Sequence, residues 1–114
     1  MKKFLVILLV LSVILAVPAY ALEAAEYARP DLYFSRSNAV CYLYVAGASD
    51  AEISATMTLM ENNRRVARWS ETGTGTLVMN ETHPAISGSR YTLICDIDVD
   101  GSSMECDTLV ETCP

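Results

Sequence analysis

The stretch that decides the fold runs from Tyr91 to Gly101 and reads Tyr-Thr-Leu-Ile-Cys-Asp-Ile-Asp-Val-Asp-Gly. Every second residue from Tyr91 to Val99 is apolar, which predicts a β-strand with one buried face. Asp100-Gly101 then marks a two-residue hairpin turn. Ser102 to Val110 is expected to return as the next strand, so the fold around this hairpin is antiparallel.

The same two-residue period recurs upstream, with turn residues between the segments. Glu61-Asn62-Asn63-Arg64 is a predicted hairpin turn, because Asn tolerates left-handed backbone, and residues 83–89 form a predicted loop. No segment of helical period follows residue 21. Seven short strands favour an all-β, immunoglobulin-like antiparallel sandwich; they are Asp31–Arg36, Val40–Val45, Glu52–Met60, Arg65–Ser70, Thr76–Thr82, Tyr91–Val99 and Ser102–Val110.

Two short motifs carry a resemblance to a known class of protein. They are Trp69-Ser70-Glu71-Thr72-Gly73-Thr74-Gly75 and Gly88-Ser89-Arg90-Tyr91-Thr92-Leu93. The chain resembles small secreted bacterial proteins with Ig-like β-sandwich domains, mostly of unknown function. The resemblance implies that the Trp strand packs on the core and that Tyr91 opens the penultimate strand. Tyr91 lies four residues before Cys95, not two as in antibody domains, so the resemblance implies architecture alone.

Residues 1–21 have the three parts of a cleavable signal peptide in order. Lys2 and Lys3 precede an apolar run from Phe4 to Val17, and Ala19-Tyr20-Ala21 is a small-x-small cleavage site. The apolar run is shorter than the roughly 20 residues that span a bilayer. We therefore expect cleavage after Ala21, a secreted or extracytoplasmic product, and no membrane span in that product.

Removal of this segment makes the net charge of the chain more negative. It takes away both lysines and no acid, so the net charge of −6 falls to −8. That charge disfavours nucleic-acid binding, which depends on Lys and Arg at phosphates. Residues 22–30 are predicted to be a flexible lead-in, and residues 31–114 one domain with a modest core.

Four cysteines remain: Cys41, Cys95, Cys106 and Cys113. An even number in a small exported chain predicts two disulfides. Two connectivities stay open. An inter-sheet Cys41–Cys95 bond, slightly favoured, leaves Cys106–Cys113, whereas the Asp100-Gly101 turn sets Cys95 opposite Cys106 and leaves Cys41–Cys113. Zinc is disfavoured, because no C-x-x-C occurs and His83 is the sole histidine.

The acidic hairpin is the one motif whose residue spacing is typical of a metal-binding loop. Asp96, Asp98 and Asp100, with Asp107 at the twelfth position, match the spacing of a calcium loop. The flanks are strands, not helices, and Cys106 falls inside the loop. Alternation on the solvent face of a hairpin explains the same acids, so we predict no metal site and keep these four as weak candidates.

Other candidate contact residues are aromatic or basic. Trp69 and the tyrosines at 33, 42, 44 and 91 suit either a ligand-stacking surface, as in carbohydrate-binding modules, or core and sheet-face packing, which is favoured. The only basic cluster consists of Arg64, Arg65 and Arg68. It is interpreted either as a contact for an anionic partner or, preferably, as a solvent-exposed hairpin tip. Asn80-Glu81-Thr82 is a glycosylation sequon in a eukaryotic secretory pathway.

No catalytic set stands out, because a nucleophile needs a base and His83 precedes Pro84 in a predicted loop. The sequence therefore predicts a secreted, non-enzymatic binding or surface-interaction module for an extracellular or cell-surface ligand, with no cofactor. One alternative is a calcium-binding structural envelope protein that uses the 96–107 hairpin. Another is an inhibitor of an extracellular enzyme, with residues 82–89 as its inserting loop.

Overall fold

The computed structural model describes residues 26–114, so the predicted signal peptide lies outside the described residues. Eight strands make up this part of the chain, which contains no helix. In order they are β1 (Tyr27–Ser35), β2 (Asn38–Ala46), β3 (Glu52–Glu61), β4 (Arg64–Thr74), β5 (Thr76–Pro84), β6 (Arg90–Val99), β7 (Ser102–Met104) and β8 (Leu109–Thr112).

The strands form two antiparallel sheets. The first sheet has the order β1-β2-β5. In the second sheet the order is β4-β3-β6, and both β7 and β8 pair with the free side of β6. The chain passes from the second sheet to the first at Gly75, between β4 and β5. The predicted all-β sandwich is thus confirmed as two antiparallel sheets.

Three tight turns place residues in left-handed backbone, as hairpin turns with the twist of their strands require. Asn62 and Asn63 have φ of 48° and 67°, and Asp100 and Gly101 have φ of 51° and 82°. Both predicted hairpins are confirmed. Arg36 and Ser37 form the third such pair, between β1 and β2.

The core lies between the inner faces of the two sheets. The predicted inward row of β6 is buried, with Tyr91 and Leu93 fully enclosed. From β3 the alternate residues from Ile53 to Leu59 meet them. The first sheet contributes the apolar side chains Leu32, Ala39, Cys41, Leu43, Val45, Leu77 and Met79.

Several strand boundaries differ from those predicted, and β4 extends to Thr74 rather than ending at Ser70. β1 begins at Tyr27, inside the segment predicted to be a flexible lead-in, and Tyr27 to Pro30 pair with β2. Pro30 is tolerated because β1 is an edge strand. The predicted strand Ser102–Val110 is divided into β7 and β8.

The division of that strand is a change of register. Ile97 pairs with Met104 in β7, but Leu93 pairs with Leu109 in β8. Residues 94–96 of β6 therefore face residues 105–108, which contain one residue more. A straight strand cannot absorb an extra residue, so pairing stops and resumes. Between residues 26 and 114 there is no helix with the length and apolarity to cross a bilayer.

Candidate functional site

The predicted aromatic residues divide between the core and one outer surface. Tyr91 is fully buried, and Trp69 packs against the core from β4. The outer face of the first sheet instead carries Tyr33, Tyr42 and Tyr44. Side chains alternate between the two faces of a strand, and these tyrosines are direct neighbours of the buried Leu32 and Leu43. Trp69 and Tyr91 therefore belong to the core packing, and Tyr33, Tyr42 and Tyr44 lie on a sheet face.

A fourth ring joins them. Tyr27 stands at the start of β1 on the same outer face, and we call the surface formed by Tyr27, Tyr33, Tyr42 and Tyr44 the tyrosine face. Tyr27 and Tyr33 are 48% and 47% exposed, which is unusual for side chains of this size. Val78 on β5, opposite Tyr44, is 51% exposed and extends the apolar area.

Contacts among these side chains fix part of the surface. The rings of Tyr27 and Tyr44 lie with centroids 5.7 Å apart at 36°. The guanidinium of Arg29 sits 5.7 Å from the centre of the Tyr27 ring, within the range of a cation–π contact. The neighbouring Tyr27 hydroxyl raises the pKa of the Tyr44 phenol. The result is a preformed aromatic pair flanked by one cation.

Polar groups lie between the rings. Asp31 and Asn80 flank Tyr42 on either side in the register of the first sheet, and Thr82 lies beyond Val40 from Tyr33. The sequon asparagine Asn80 is exposed and belongs to this surface. The tyrosine face thus offers aromatic area together with hydrogen-bonding side chains.

The outer face of the second sheet has a different chemistry. A shallow groove there is lined by Ser54, Thr56, Ser70, Thr72, Asp96 and Asp98. The hydroxyls of Thr56 and Ser70 lie 2.8 Å apart and hydrogen-bond to each other. Aromatic exposure is therefore a property of the first sheet and not of the surface of this sandwich in general.

The four acidic candidates are spread along the hairpin. Asp96 and Asp98 lie on the outer face of the second sheet, and an Oδ atom of Asp100 accepts a hydrogen bond from the Glu52 N–H at 2.8 Å. Asp107 lies in the irregular segment after β7. Within residues 26–114, no three His, Cys, Asp or Glu side chains form a group that could hold a metal ion.

The basic cluster lies at the β3–β4 hairpin. Arg64, Arg65 and Arg68 are all exposed. Met60 pairs with Arg65 while Leu59 pairs with Ala67, so Val66 is an extra residue in β4. This bulge lets Arg65 and Arg68 both face solvent on the outer side of the second sheet.

His83 is engaged locally. Its Nδ1 lies 2.8 Å from the carbonyl oxygen of Pro84 and, because a carbonyl only accepts, Nδ1 donates. His83 belongs to β5 and not to the loop predicted for residues 83–89, which is reduced to the short turn 85–89. At that turn Ile86 is 60% exposed, while its N–H donates to the Tyr91 hydroxyl at 2.8 Å.

The four cysteines are thiols and lie at three places in the domain. Cys41 is fully buried, and burial raises its pKa to about 12, with Glu81 adding to the effect. Cys95 and Cys106 face each other at the edge of β6 and line one open cavity together with Ala28, Met104 and Asp107. Cys113 lies at the other end of β6, where its N–H donates to the carbonyl oxygen of Ser89.

Sequence reasoning missed two exposed apolar residues. Tyr27 fell in the segment assigned to the lead-in, although its spacing from Tyr33 keeps the parity of one strand face. Ile86 fell inside a loop, where periodicity carries no information. On β2, Tyr42 and Tyr44 alternate with the apolar residues Cys41, Leu43 and Val45. This alternation was the sequence signal for the tyrosine face.

Comparison of the chain with protein-family models, with curated proteins and with solved structures finds no significant match. Function therefore rests on the geometry alone.

Proposed function

We propose that this chain is a secreted, non-enzymatic binding module whose tyrosine face holds a neutral glycan chain. The observation that carries the proposal is the placement of four tyrosines on one outer sheet face, with two of them nearly half exposed. Solvated sheet faces are ordinarily built from Ser, Thr and charged residues, as the second sheet of this sandwich is. Exposed aromatic area of this kind marks an interaction surface.

The chemistry of the surface favours a sugar over other ligands. A pyranose ring has an apolar face that packs on an aromatic ring and hydroxyls that need hydrogen-bonding partners. The tyrosine face supplies both, with Asp31 and Asn80 beside Tyr42. The acidic charge of the whole chain, −6, disfavours polyanions such as nucleic acid and anionic lipid.

We also infer that the sandwich is of the immunoglobulin type. Strands one, two and five form one sheet, and strands three and six lie together in the other, as in that fold. A second support is the Tyr91 hydroxyl at the start of β6, which bonds to backbone five residues upstream in the manner of a tyrosine corner. The fourth strand here pairs with the third.

A retention assay tests the glycan proposal. The purified protein is mixed with insoluble cellulose, chitin and peptidoglycan, and the bound fraction is measured. Tyr33→Ala and Tyr42→Ala each remove one ring without touching the core. Each is expected to weaken binding about tenfold, which corresponds to roughly 1.4 kcal/mol.

Thr58→Ala is the matched control, because Thr58 lies on the outer face of the second sheet. It is expected to bind as the wild type does. No retention on any of the three polysaccharides, or equal losses for Thr58→Ala and Tyr33→Ala, would overturn the glycan proposal.

One observation favours a second candidate, an inhibitor of an extracellular enzyme. Ile86 protrudes from the short turn 85–89, and several hydrogen bonds hold that turn. The Ile86 N–H donates to Tyr91, its carbonyl oxygen accepts from the Ser89 N–H at 3.1 Å, and the Gly88 N–H donates to the carbonyl oxygen of Cys113 at 2.8 Å. A rigid exposed apolar side chain suits insertion into an enzyme pocket. A panel of secreted hydrolases, assayed with wild type and Ile86→Asp, tests this candidate: inhibition by wild type alone supports it.

A further inference from the structure

The edge of the second sheet contains a pair of thiols at a structural defect. β7 holds Ile97 to Val99 of β6, and β8 holds Arg90 to Leu93. Between them, residues 94–96 of β6 face a segment, 105–108, that belongs to no strand. Cys95 lies in the first of these stretches and Cys106 in the second.

The register of β7, continued past its end at Met104, places Cys95 and Cys106 near each other. Asp98 pairs with Ser103 and Ile97 with Met104, so two further steps along the two segments lead from that pair to Cys95 and Cys106. Antiparallel residues that lie opposite each other have Cα atoms about 4.5–5.5 Å apart, so a pair close to that arrangement is within reach of a disulfide. Both side chains line the same open cavity.

The two thiols affect each other. Burial raises the pKa of Cys95 to about 12, and the nearby Cys106 thiol adds to that shift. Burial also raises the pKa of Cys106. Cys106 is the more exposed of the two thiols, so an external reagent reaches it first.

We propose that Cys95 and Cys106 form a solvent-accessible disulfide that ties segment 105–108 to β6 where the edge strand is interrupted. The oxidant is a small-molecule disulfide. The Cys106 thiolate attacks it, a mixed disulfide forms and one small thiol leaves. The Cys95 sulfur, giving up its proton, then attacks Cys106 and releases the second small thiol. Two protein thiols are oxidised and one disulfide is reduced to two thiols.

Exposure distinguishes Cys106 from the other three cysteines. Cys106 is partly exposed beside an open cavity, so a small disulfide can reach it. Cys41 is fully enclosed between the sheets, and Cys95 and Cys113 are 8% and 7% exposed. The bond we propose is therefore also the one that external thiols reduce first.

Peptide mapping without reduction tests the proposal. The purified protein is equilibrated with oxidised and reduced glutathione, remaining thiols are alkylated, and trypsin separates residues 37–64, with Cys41, from residues 91–114, with the other three. Cleavage before aspartate then places Cys95 in 91–95, Cys106 in 100–106 and Cys113 in 107–114. The expected result is a cross-link between 91–95 and 100–106.

Two variants sharpen the outcome. Cys113→Ser is expected to keep the 91–95 to 100–106 cross-link, and Cys106→Ser is expected to leave Cys95 alkylated. Cross-linking of 91–95 to 37–49, the peptide that then contains Cys41, would show a Cys41–Cys95 bond in the wild type and overturn the proposal. Recovery of alkylated Cys95 from the oxidised wild type would overturn it as well. The wild-type map decides the question by itself if a variant fails to fold.

Discussion

The hydroxyl of Tyr91 joins two parts of the fold, accepting a hydrogen bond from the Ile86 N–H at 2.8 Å and donating one to Glu61 Oε2 at 3.0 Å. Its ring is fully buried and stands 5.6 Å from the ring of Phe34. One side chain therefore connects the turn 85–89, the end of β3 and the first sheet. The Ile86 N–H is part of an exposed turn that backbone hydrogen bonds also tie to Ser37 and Cys113.

Removal of this hydroxyl is expected to destabilise the domain. Tyr91→Phe keeps the ring but leaves the Ile86 N–H and the Glu61 carboxylate without their partner. The expected loss in free energy of unfolding is about 1–3 kcal/mol. Urea unfolding measures it, and Tyr33→Phe, on the tyrosine face, is the control with a change within roughly 0.5 kcal/mol. Equal stability of the two variants would contradict the role assigned to the hydroxyl.

Gly75, between β4 and β5, is expected to tolerate no side chain. Its φ is +75°, and a Cβ there would lie 2.9 Å from the carbonyl oxygen of Ser49. Gly75→Ala therefore combines left-handed strain, about 1–2 kcal/mol, with a clash against backbone. Gly88→Ala is the matched control, because Gly88 has φ +87° and nothing within 4 Å of its Cβ position.

Thermal and urea unfolding of the two variants separate the contributions. Gly88→Ala should show the backbone strain alone, and Gly75→Ala should lose at least about 1 kcal/mol more. Similar losses would mean that the Ser49 carbonyl moves aside at little cost.

The sequence predicted the strands well where alternation was strong and failed where it was weak. The inward residues of β6 and β3 are large and apolar, so parity identified both strands. The predicted start of β1 was too late, because the first inward residues, Ala28 and Pro30, give little hydrophobic signal. Both residues nevertheless pair with β2. The break between β7 and β8 comes from one extra residue in the segment 105–108. No residue type in that segment indicates the break.

The tyrosine face shows a different limit of prediction from sequence. The parity of the residues on β2 separates Tyr42 and Tyr44 from the core, so sequence alone contained their location. The neighbours of these rings come from β1 and β5, and only the pairing of strands brings Tyr27 and Val78 beside Tyr44. A surface made from three strands depends on sheet order, which periodicity does not specify.

Alkaline pH is expected to destabilise the reduced protein through its buried thiols. The pKa of Cys41 is raised from its ordinary 9.0 to about 12 by burial. Between these values the unfolded chain ionises the thiol and the folded chain does not, so the unfolded state gains stability. The free energy of unfolding therefore falls from pH 9 toward pH 12 and is unaffected by this group below pH 9.

Cys41→Ala isolates that contribution, because it removes one thiol and leaves Cys95 and Tyr91, whose pKa values are also raised. Urea unfolding in a non-thiol reductant is measured at about pH 8 and about pH 10. The variant is expected to lose less stability between the two pH values than the wild type, although it is less stable at both. The same loss in both proteins would show that Cys41 does not stay protonated in the fold.

Calcium is expected to leave the stability of the domain unchanged. Asp96 and Asp98 project from the outer face of the second sheet, and an Oδ atom of Asp100 is engaged by the Glu52 N–H. Calcium binding needs six or more oxygens in one place, and these carboxylates are spread along a hairpin. A ligand that binds the folded state raises the melting temperature by mass action. Thermal melts with millimolar calcium, and with magnesium as the ionic control, should therefore coincide. A rise specific to calcium that disappears in Asp98→Asn would establish a site at this hairpin.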